Sequence, residues 1–451
     1  MRRATCLTFA AIALASGVAR ASGPITKGPW IQKVTPSSAV VRVEIDPPGP
    51  ASLELGIGSA GTDASALRSI ESKEPRALHS FVIDKLDPAT RYAFTVRANG
   101  GQKYGALTTA PEDPATPFRF LVFGDNRTDD AAHAAVVRAM AGASADFLIH
   151  TGDFVATGAS ASEWQTFFDI EAPLMRDRCI FSCVGNHELI DGAGIQYVRY
   201  FGPADGPAPA SLTPESLNGT FRWANTRFFL VNGMVSYATG QASREWLEKV
   251  LREADDEKGI VWRVLVTHHG PWSSGPHGDN ARFLDNGIPE VLRQHKVDLV
   301  IAGHDHIYER GFSGGIAYFV SGGGGAPVYK IKTKGAGSRR TESVRHFIEA
   351  SVSAVAIQFA ATRPDGSVIE RCGLRKNEGW DCDGASDAGA IAPASTSSSG
   401  AGAPASAPAG AGSKCGCEVV GGGSGGRATA FGVLAATIAL VRRRRRAILD
   451  P

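Results

Sequence analysis

The sequence predicts an α/β domain preceded by an all-β domain, and three observations carry that expectation. Short apolar runs, most of them ending in Gly, lead directly into Asp, Asn or His at Phe118–Asn126, Asp146–Phe154, Cys179–Glu188, Arg263–His269 and Val297–His306. The intervals between them are long enough for helical crossovers, as at Asp129–Ala143 and Ser243–Ala254. Ahead of them, residues 24–110 break into short alternating runs punctuated by Pro, Gly, Asn and Asp.

Each of the five runs has the length of a strand and lacks strict polar alternation, the pattern of a sheet covered on both faces. In open α/β sheets the ligand site lies beyond the carboxyl ends of the strands. Asp125, Asp153, Asn186, His187, His268, His304 and His306 are therefore expected on one rim, although they are scattered from position 125 to position 306. In the N-terminal part, Ala39–Ile45 alternates apolar and polar after the turn Thr35–Ser38, and Leu53–Ile57, Ala77–Ile83 and Tyr92–Ala98 follow. Short strands with regular turn signals predict a sandwich. Leu86–Tyr92, where a tyrosine follows an Asp-Pro turn, resembles the corner of a fibronectin type III-like module.

The ends read differently from the middle. Arg2 and Arg3, the apolar stretch Leu7–Leu14 and Ala19-Arg20-Ala21 predict a secretory signal over residues 1–21. Residues 384–413 are Ala, Gly, Ser and Pro with too little apolar surface to fold, so a flexible linker is expected. In residues 414–451, Cys415-Gly416-Cys417, a Gly-rich spacer, the apolar run Ala428–Val441 and Arg442–Arg446 follow in order. The apolar run is shorter than the ~20 residues a spanning helix needs. Arginines after an apolar run are nevertheless a stop-transfer feature. The whole tail resembles the MYXO-CTERM sorting signal of myxobacterial surface proteins, which implies membrane or cell-surface attachment; the plainer alternative is a tail anchor.

Composition excludes little else. The chain of 451 residues has room for more than one domain, and 20% charged with 43% hydrophobic residues is ordinary for a soluble protein. The net charge of +2, with five positive charges in Arg442–Arg446, leaves no footprint for nucleic acid. Cys179 and Cys183 lie four apart on one predicted strand, roughly 13 Å from each other and beyond disulfide reach, so buried thiols are expected. Cys372 and Cys382 bracket a polar loop and are candidates to pair.

The rim residues carry the chemistry. Carboxylates, an amide oxygen and imidazoles suit two adjacent ions such as Fe, Mn, Zn or Mg. Two metals roughly 3.5–4 Å apart stabilise both the attacking and the leaving oxygen in phosphoryl transfer. The blocks GDNR (124–127), GDF (152–154), GNHE (185–188), THH (267–269) and GHDH (303–306) resemble, in order, those of the calcineurin-like metallophosphoesterases. The start GPWIQ (28–32) and VTPSSAVV (34–41) is similar to the N-terminal domain of purple acid phosphatases.

The resemblance implies a metallophosphoesterase β-sandwich flanked by helices over residues 117–365, with a fibronectin type III-like domain over 24–110. It implies one metal held by Asp125, Asp153 and His306 and another by Asp153, Asn186, His268 and His304, with Asp153 bridging. It also implies hydrolysis of a phosphate ester, preferably a monoester, by in-line attack of a hydroxide held between the metals. His187 would face the phosphate, with His304 or His269 as less favoured proton donors and Arg127 beside a phosphate oxygen. The alternatives are a phosphodiesterase or nucleotidase of the same fold, or a non-catalytic surface binding protein. Purple acid phosphatases place a tyrosine ligand three residues after the bridging Asp; here that residue is Ala156. The resemblance with that one change implies a colourless centre of two divalent ions. On the loop His269–Gly278, Trp272 reads as packing and His277 as a possible acid. Gly322–Gly325 reads as a tight turn behind the last metal strand, and Glu309–Arg310 as an ion pair supporting a turn.

Overall fold

The computed structural model describes residues 24–58, 68–190, 194–202, 217–331, 333–376 and 378–382. The expected leader, the linker 384–413 and the tail 414–451 with Cys415 and Cys417 lie outside the described residues. Among the described residues no helix is long and apolar enough to cross a membrane.

The N-terminal strands are β1 (Ile25–Gln32), β2 (Ala39–Ile57), β3 (Arg68–Ile83), β4 (Arg91–Ala98) and β5 (Gly101–Thr108). The runs at Ala39–Ile45 and Leu53–Ile57 belong to the single long β2, whose exposed Asp46-Pro47-Pro48 step lies between them. The Tyr92 hydroxyl accepts the Asp87 N–H at 2.9 Å, so the tyrosine does close the turn that precedes it.

The strands that end at the rim follow: β6 (Phe118–Phe123), β7 (Phe147–His150) and β8 (Cys179–Ser182). Helix α1 (Asp130–Ala141) connects β6 to β7, and α2 (Ala161–Met175) connects β7 to β8. Asp129 caps α1 by accepting from Ala132 N–H, and Ser160 caps α2 by accepting from Glu163 N–H, each satisfying a donor that the first turn leaves open. Next come α3 (Ile195–Phe201), β9 (Gly219–Trp223), β10 (Thr226–Val231), α4 (Ala242–Asp255) and β11 (Trp262–Thr267). Leu247, Val250, Leu251 and Ala254 of α4 are buried at helical spacing, so one face docks and the other stays charged. The chain continues through α5 (Ala281–Leu284), α6 (Ile288–Gln294), β12 (Leu299–Ala302), β13 (Tyr308–Ser313) and β14 (Ile316–Ser321). It closes with β15 (Ser338–Glu342), β16 (Phe347–Val352), β17 (Ala356–Thr362), β18 (Val368–Arg375) and β19 (Gly379–Asp381).

These strands form two sheets. A 12-stranded sheet runs β19-β18-β17-β16-β6-β7-β8-β1-β2-β4-β5, with β3 on β2, and a 7-stranded sheet runs β15-β13-β14-β12-β11-β10-β9. Alternate residues of each rim strand face opposite layers. Phe120, Val122, Phe147 and Ile149 meet Val264, Val266, Leu299 and Ile301 in the core between the sheets. Leu121, Phe123 and Leu148 pack outward with Val136, Val137 and Met140 of α1 and Trp164, Phe167 and Phe168 of α2. Leu265 and Val300 pack outward with Leu247 and Leu251 of α4 and Leu292 of α6. The result is two stacked sheets with helices on both outer faces. β6, β7 and β8 are mutually parallel, as are β10, β11, β12 and β14. The carboxyl ends of one set in each sheet therefore supply the rim.

The N-terminal strands are not set apart by the segment 111–117. β1 pairs in parallel with β8 at Ile31–Cys179. Ile31, Val41 and Phe94 share the core that holds Phe147 and Phe181. Arg42 donates to the carbonyl oxygens of Tyr200 and Arg199 at 2.8 and 3.1 Å. The large sheet also continues past residue 365 through β18 and β19. Cys179 and Cys183 are buried free thiols and Cys372–Cys382 is a disulfide, as the spacing implied.

Candidate metal centre

The rim residues converge. Asp125, Asp153 and His268 place ligand atoms within 4.8 Å of one another, and all three side chains are buried. Each stands on the turn that leaves its strand. Asp125, Asp153 and His304 have positive φ of 56°, 59° and 70°, a conformation that costs non-glycine residues of order 1–3 kcal/mol and persists where surrounding contacts enforce it. Here the turns hold one another: Asp125 N–H donates to the Gly152 carbonyl at 3.0 Å, and His304 N–H donates to both oxygens of Asp125 at 3.0 Å. The glycine ahead of His304 is needed for closeness rather than for its φ. A Cβ on Gly303 would stand 2.3 Å from Asp125 Oδ2.

Hydrogen bonds fix which ring nitrogens carry lone pairs. His268 Nδ1 lies 2.8 Å from the Thr151 carbonyl and His306 Nδ1 lies 2.7 Å from the Pro327 carbonyl. A carbonyl only accepts, so both Nδ1 atoms carry hydrogen and both Nε2 atoms present lone pairs. His268 Nε2 then faces two further electron-pair donors, Asn186 Oδ1 at 3.0 Å and Asp153 Oδ1 at 3.3 Å, with His304 Nδ1 at 3.1 Å. His306 Nε2 faces Asp125 Oδ1 at 3.6 Å. Lone pairs pressed together in a buried place call for cations. One protein cation is already present: Arg127 Nε sits 3.1 Å from Asp153 Oδ2, and its Nη2 sits 3.4 Å from His306 Nε2. Asp125, Asp153 and His268 thus form a group that could hold a metal ion, with Asn186, His304 and His306 beside it.

The electrostatics agree. Burial, and then the neighbouring Asp153, pushes the Asp125 carboxyl well above its usual range. For Asp153, burial is outweighed by His268, His187 and Arg127, and its carboxyl falls below the usual range. Burial lowers His268 and His304, and brings His306 down to about 4. The imidazoles are therefore neutral, the form that binds metal.

The remaining expected residues take distinct places. His187 donates its Nδ1–H to the Ala156 carbonyl at 2.6 Å, which leaves Nε2 on the site side, 3.9 Å from Asp153 Oδ2. His269 donates from Nε2 to the Gly278 carbonyl at 3.0 Å and packs against the His304 ring at 4.3 Å. It packs on His304 and holds the loop. His277 is the more open imidazole of that loop: its Nδ1 binds Asp305 Oδ1 at 2.8 Å, and its ring lies 4.2 Å from His304. Trp272 packs on Tyr318 at 5.4 Å. The expected Glu309–Arg310 pair does not form. Glu309 is fully buried and accepts from Ser274 N–H and Oγ–H and from the Tyr318 hydroxyl. Arg310 instead pairs with Glu370 at 2.9 Å. The two side chains leave the strand on opposite faces, so adjacent residues of β13 are poor partners. Gly322–Gly325 packs behind the rim, with Gly324 N–H donating to the Gly124 carbonyl at 2.9 Å.

Several contributors carry no signal in the sequence beyond their letters. Glu188 is buried and accepts from the N–H groups of Gly185, Asp153 and Phe154 at 2.8, 2.9 and 2.8 Å, tying two ligand turns together. Asp305, also buried, receives His277 N–H at 3.2 Å and the Ser273 hydroxyl at 2.5 Å, so it anchors the loop across the rim. Behind the first two turns runs a buried chain in which Glu171 meets His133 at 2.7 Å, Asn126 meets His133, and His150 donates to Asn126 Oδ1 at 2.8 Å. Tyr329 stacks on His306 at 4.1 Å. Ala156 lines a cleft of about 330 Å³ together with Asn126, Arg127, Phe154 and Phe167. A larger cavity of about 560 Å³, between β1, α3 and β9, holds none of the rim residues.

Comparison with known proteins agrees with this geometry. The sequence profile of the calcineurin-like phosphoesterases matches residues 118–308. The chain is 25% identical over 261 residues to a probable purple acid phosphatase, number 20 of Arabidopsis thaliana, covering 56% of this chain and 60% of that one. It is 25% identical over 264 residues to purple acid phosphatase 23 of the same plant, covering 52% and 57%. The chain therefore spans little more than half the length of these relatives. Among solved structures, the purple acid phosphatase PPD1 of yellow lupin superposes with a TM-score of 0.64 at 16% identity, covering 77% of this chain and 74% of that one. PhoD superposes with a TM-score of 0.61 at 14% identity, covering 80% and 92%; both likenesses are of fold. The profile match and the converging donor set fall on the same stretch, and residues 118–308 are similar to the calcineurin-like phosphoesterases.

Proposed function

We propose that this protein is an exported phosphatase that hydrolyses phosphate monoesters at a centre of two metal ions. The observation that supports it most is the cluster of lone-pair donors around Asp153 and His268, buried and without enough protein cations to match. Held by the two ligand sets, the ions would supply Lewis acidity, neutralising phosphoryl oxygens and lowering the pKa of water towards ~7. The side chains do the rest. Arg127, 3.1 Å from Asp153 on the open side of the site, is suited to orient a phosphoryl oxygen. His187, with its Nδ1 fixed on the Ala156 carbonyl, can carry a proton on Nε2 to the leaving oxygen. His277, oriented by Asp305, offers a second imidazole at the mouth. Preference for a monoester rests on likeness to purple acid phosphatases, including an N-terminal fibronectin type III-like part over residues 24–110. Export rests on the leader 1–21 and surface attachment on the tail 414–451. Removing Cys415–Pro451 should release active enzyme from the native host, and continued surface retention would contradict the anchor.

The deciding experiment compares a chromogenic phosphate monoester with its bis-ester after loading with Mn, Zn or Fe. Faster turnover of the monoester is expected. Preference for the bis-ester would make the protein a phosphodiesterase. Turnover of neither, with two metals bound, would leave a binding protein.

A further inference from the structure

The loop after β14 brings one aromatic side chain to the centre that neither the metal ligands nor the proton donors account for. Tyr329 lies with its ring nearly parallel to that of His306, centroids 4.1 Å apart and planes 15° from parallel. Its backbone N–H donates to the His306 carbonyl at 3.0 Å, and two residues earlier Pro327 accepts the His306 Nδ1–H. The loop thus grips His306 from both sides of its ring and its backbone. On its other flank Tyr329 meets the edge of His277 at 5.5 Å and 62°. It is half-buried, and the Arg127 guanidinium is the charged group that acts most strongly on its phenol. Arg127 Nη2 also lies 3.4 Å from His306 Nε2. The phenol oxygen and the lone pair of His306 therefore point to the same side.

This geometry separates two roles. A ligand of an ion on His306 must come within ~2 Å of a point in or near the plane of that imidazole. The phenol belongs to a ring stacked 4.1 Å away, which keeps it outside ligating distance. Its side chain is instead hydrogen-bonded to that of Arg127. The other phenols beyond residue 118 have partners away from the centre: Tyr197 on Ser182, Tyr200 on Arg199 and Glu44, Tyr237 on Asn232, Tyr308 on Glu370 and Tyr318 on Glu309.

We infer that Tyr329 is a substrate-binding residue whose phenol donates a hydrogen bond to a phosphoryl oxygen held beside Arg127. The inference rests on the phosphatase reading for the identity of that oxygen. Tyr329 and Arg127 would form the two arms of an oxyanion clamp, one neutral and one charged.

The test is calorimetric titration of inorganic phosphate into the manganese-loaded, full-length protein, with metal content measured on the same samples. Tyr329→Phe keeps the ring on His306 and removes only the hydroxyl. It should retain two metals and bind phosphate about tenfold more weakly, the worth of one hydrogen bond to a charged oxygen. KM for a monoester should rise by a similar factor with little change in kcat. An unchanged phosphate affinity overturns the inference, as does loss of a metal, which would make Tyr329 a ligand. Absence of phosphate binding in the loaded wild type overturns it as well. If phosphate binds, weakens in Tyr329→Phe, and yet no ester is hydrolysed, the phosphatase reading falls and the clamp stands. If esters are hydrolysed and Tyr329→Phe changes nothing, the reverse holds.

Discussion

A single methyl group placed at Gly185 tests the geometry of the centre without touching a ligand. Gly185 precedes Asn186 and has no left-handed backbone, so Ala meets no conformational objection there. The obstacle is space. A Cβ at this position would stand 2.2 Å from Asp153 Oδ1, 2.4 Å from Asp153 N and 2.8 Å from Glu188 Oε2. Ordinary contact to carbon begins near 3.5 Å, so this carboxylate oxygen must retreat by about 1 Å. It cannot retreat freely. Asp153 Oδ1 holds His187 N–H at 3.1 Å, and Asp153 N–H is clamped by Glu188 at 2.9 Å. Overpacking of this kind costs roughly 1–3 kcal/mol of stability. A displacement of 1 Å at a reacting centre costs on the order of 10² in rate. Gly185→Ala should therefore fold, melt a few degrees lower, and lose roughly a hundredfold in turnover together with metal occupancy. Gly142→Ala is the control: the nearest atom to its Cβ would be 3.8 Å away, and neither stability nor rate should fall. The assay is monoester turnover and metal analysis on both variants beside the wild type. Wild-type turnover and two metals in Gly185→Ala would refute the placement of Asp153 Oδ1 between the ligand sets.

Three further outcomes are expected. Asp153→Asn leaves one amide oxygen where two ions share a carboxylate, so at least one metal and on the order of 10³-fold in turnover, about 4 kcal/mol, should be lost; a folded variant with two metals and full rate would show that Asp153 does not bridge. Iron-loaded wild type should show no strong visible band, because Ala156 cannot ligate, whereas Ala156→Tyr should gain one by filling the cleft of about 330 Å³ beside Arg127; a band in the wild type would sink this reading. Burial holds His346, away from the rim ligands, down at about 4, so the folded protein resists a proton that the unfolded chain takes up below about 6.5. Its contribution is complete above that pH and is lost as pH falls towards 4, in total roughly 3 kcal/mol; the unfolding free energy from denaturant curves of the metal-free protein should fall more between pH 7 and pH 4.5 in wild type than in His346→Gln, and equal falls would exclude it.

The rim was legible because its signal is local. A strand, a turn and a ligand occupy fewer than ten consecutive positions, as at Phe118–Asp125 or Val297–His304. Parallel strands place such turns on one edge whatever lies between them. What the sequence could not show is whatever depends on pairing across distance. The alternation of Ala39–Ile45 announces a sheet but says nothing of which sheet, and the Ile31–Cys179 pairing that puts those strands beside β8 is nowhere in it. Adjacent letters were misleading at Glu309 and Arg310, whose charges invite pairing while the strand sends them to opposite faces.

The same distinction explains why the ligands were readable and their supports were not. A metal ligand is constrained in type, because only a few side chains offer the right lone pair. A support is constrained in place alone. Asp305 anchors His277 from 28 residues away, and Tyr329 covers His306 from a loop that the pattern marks only as a turn. Glu188 lies between these cases: its letter belongs to a recognisable block, yet nothing in that block says that it grips the backbone of Asp153 and Gly185 at once. The sequence therefore specifies which side chains meet at the rim. The positions that fix the ligands in their strained turns, and that shape what else can approach, follow only from the packing of the two sheets against each other.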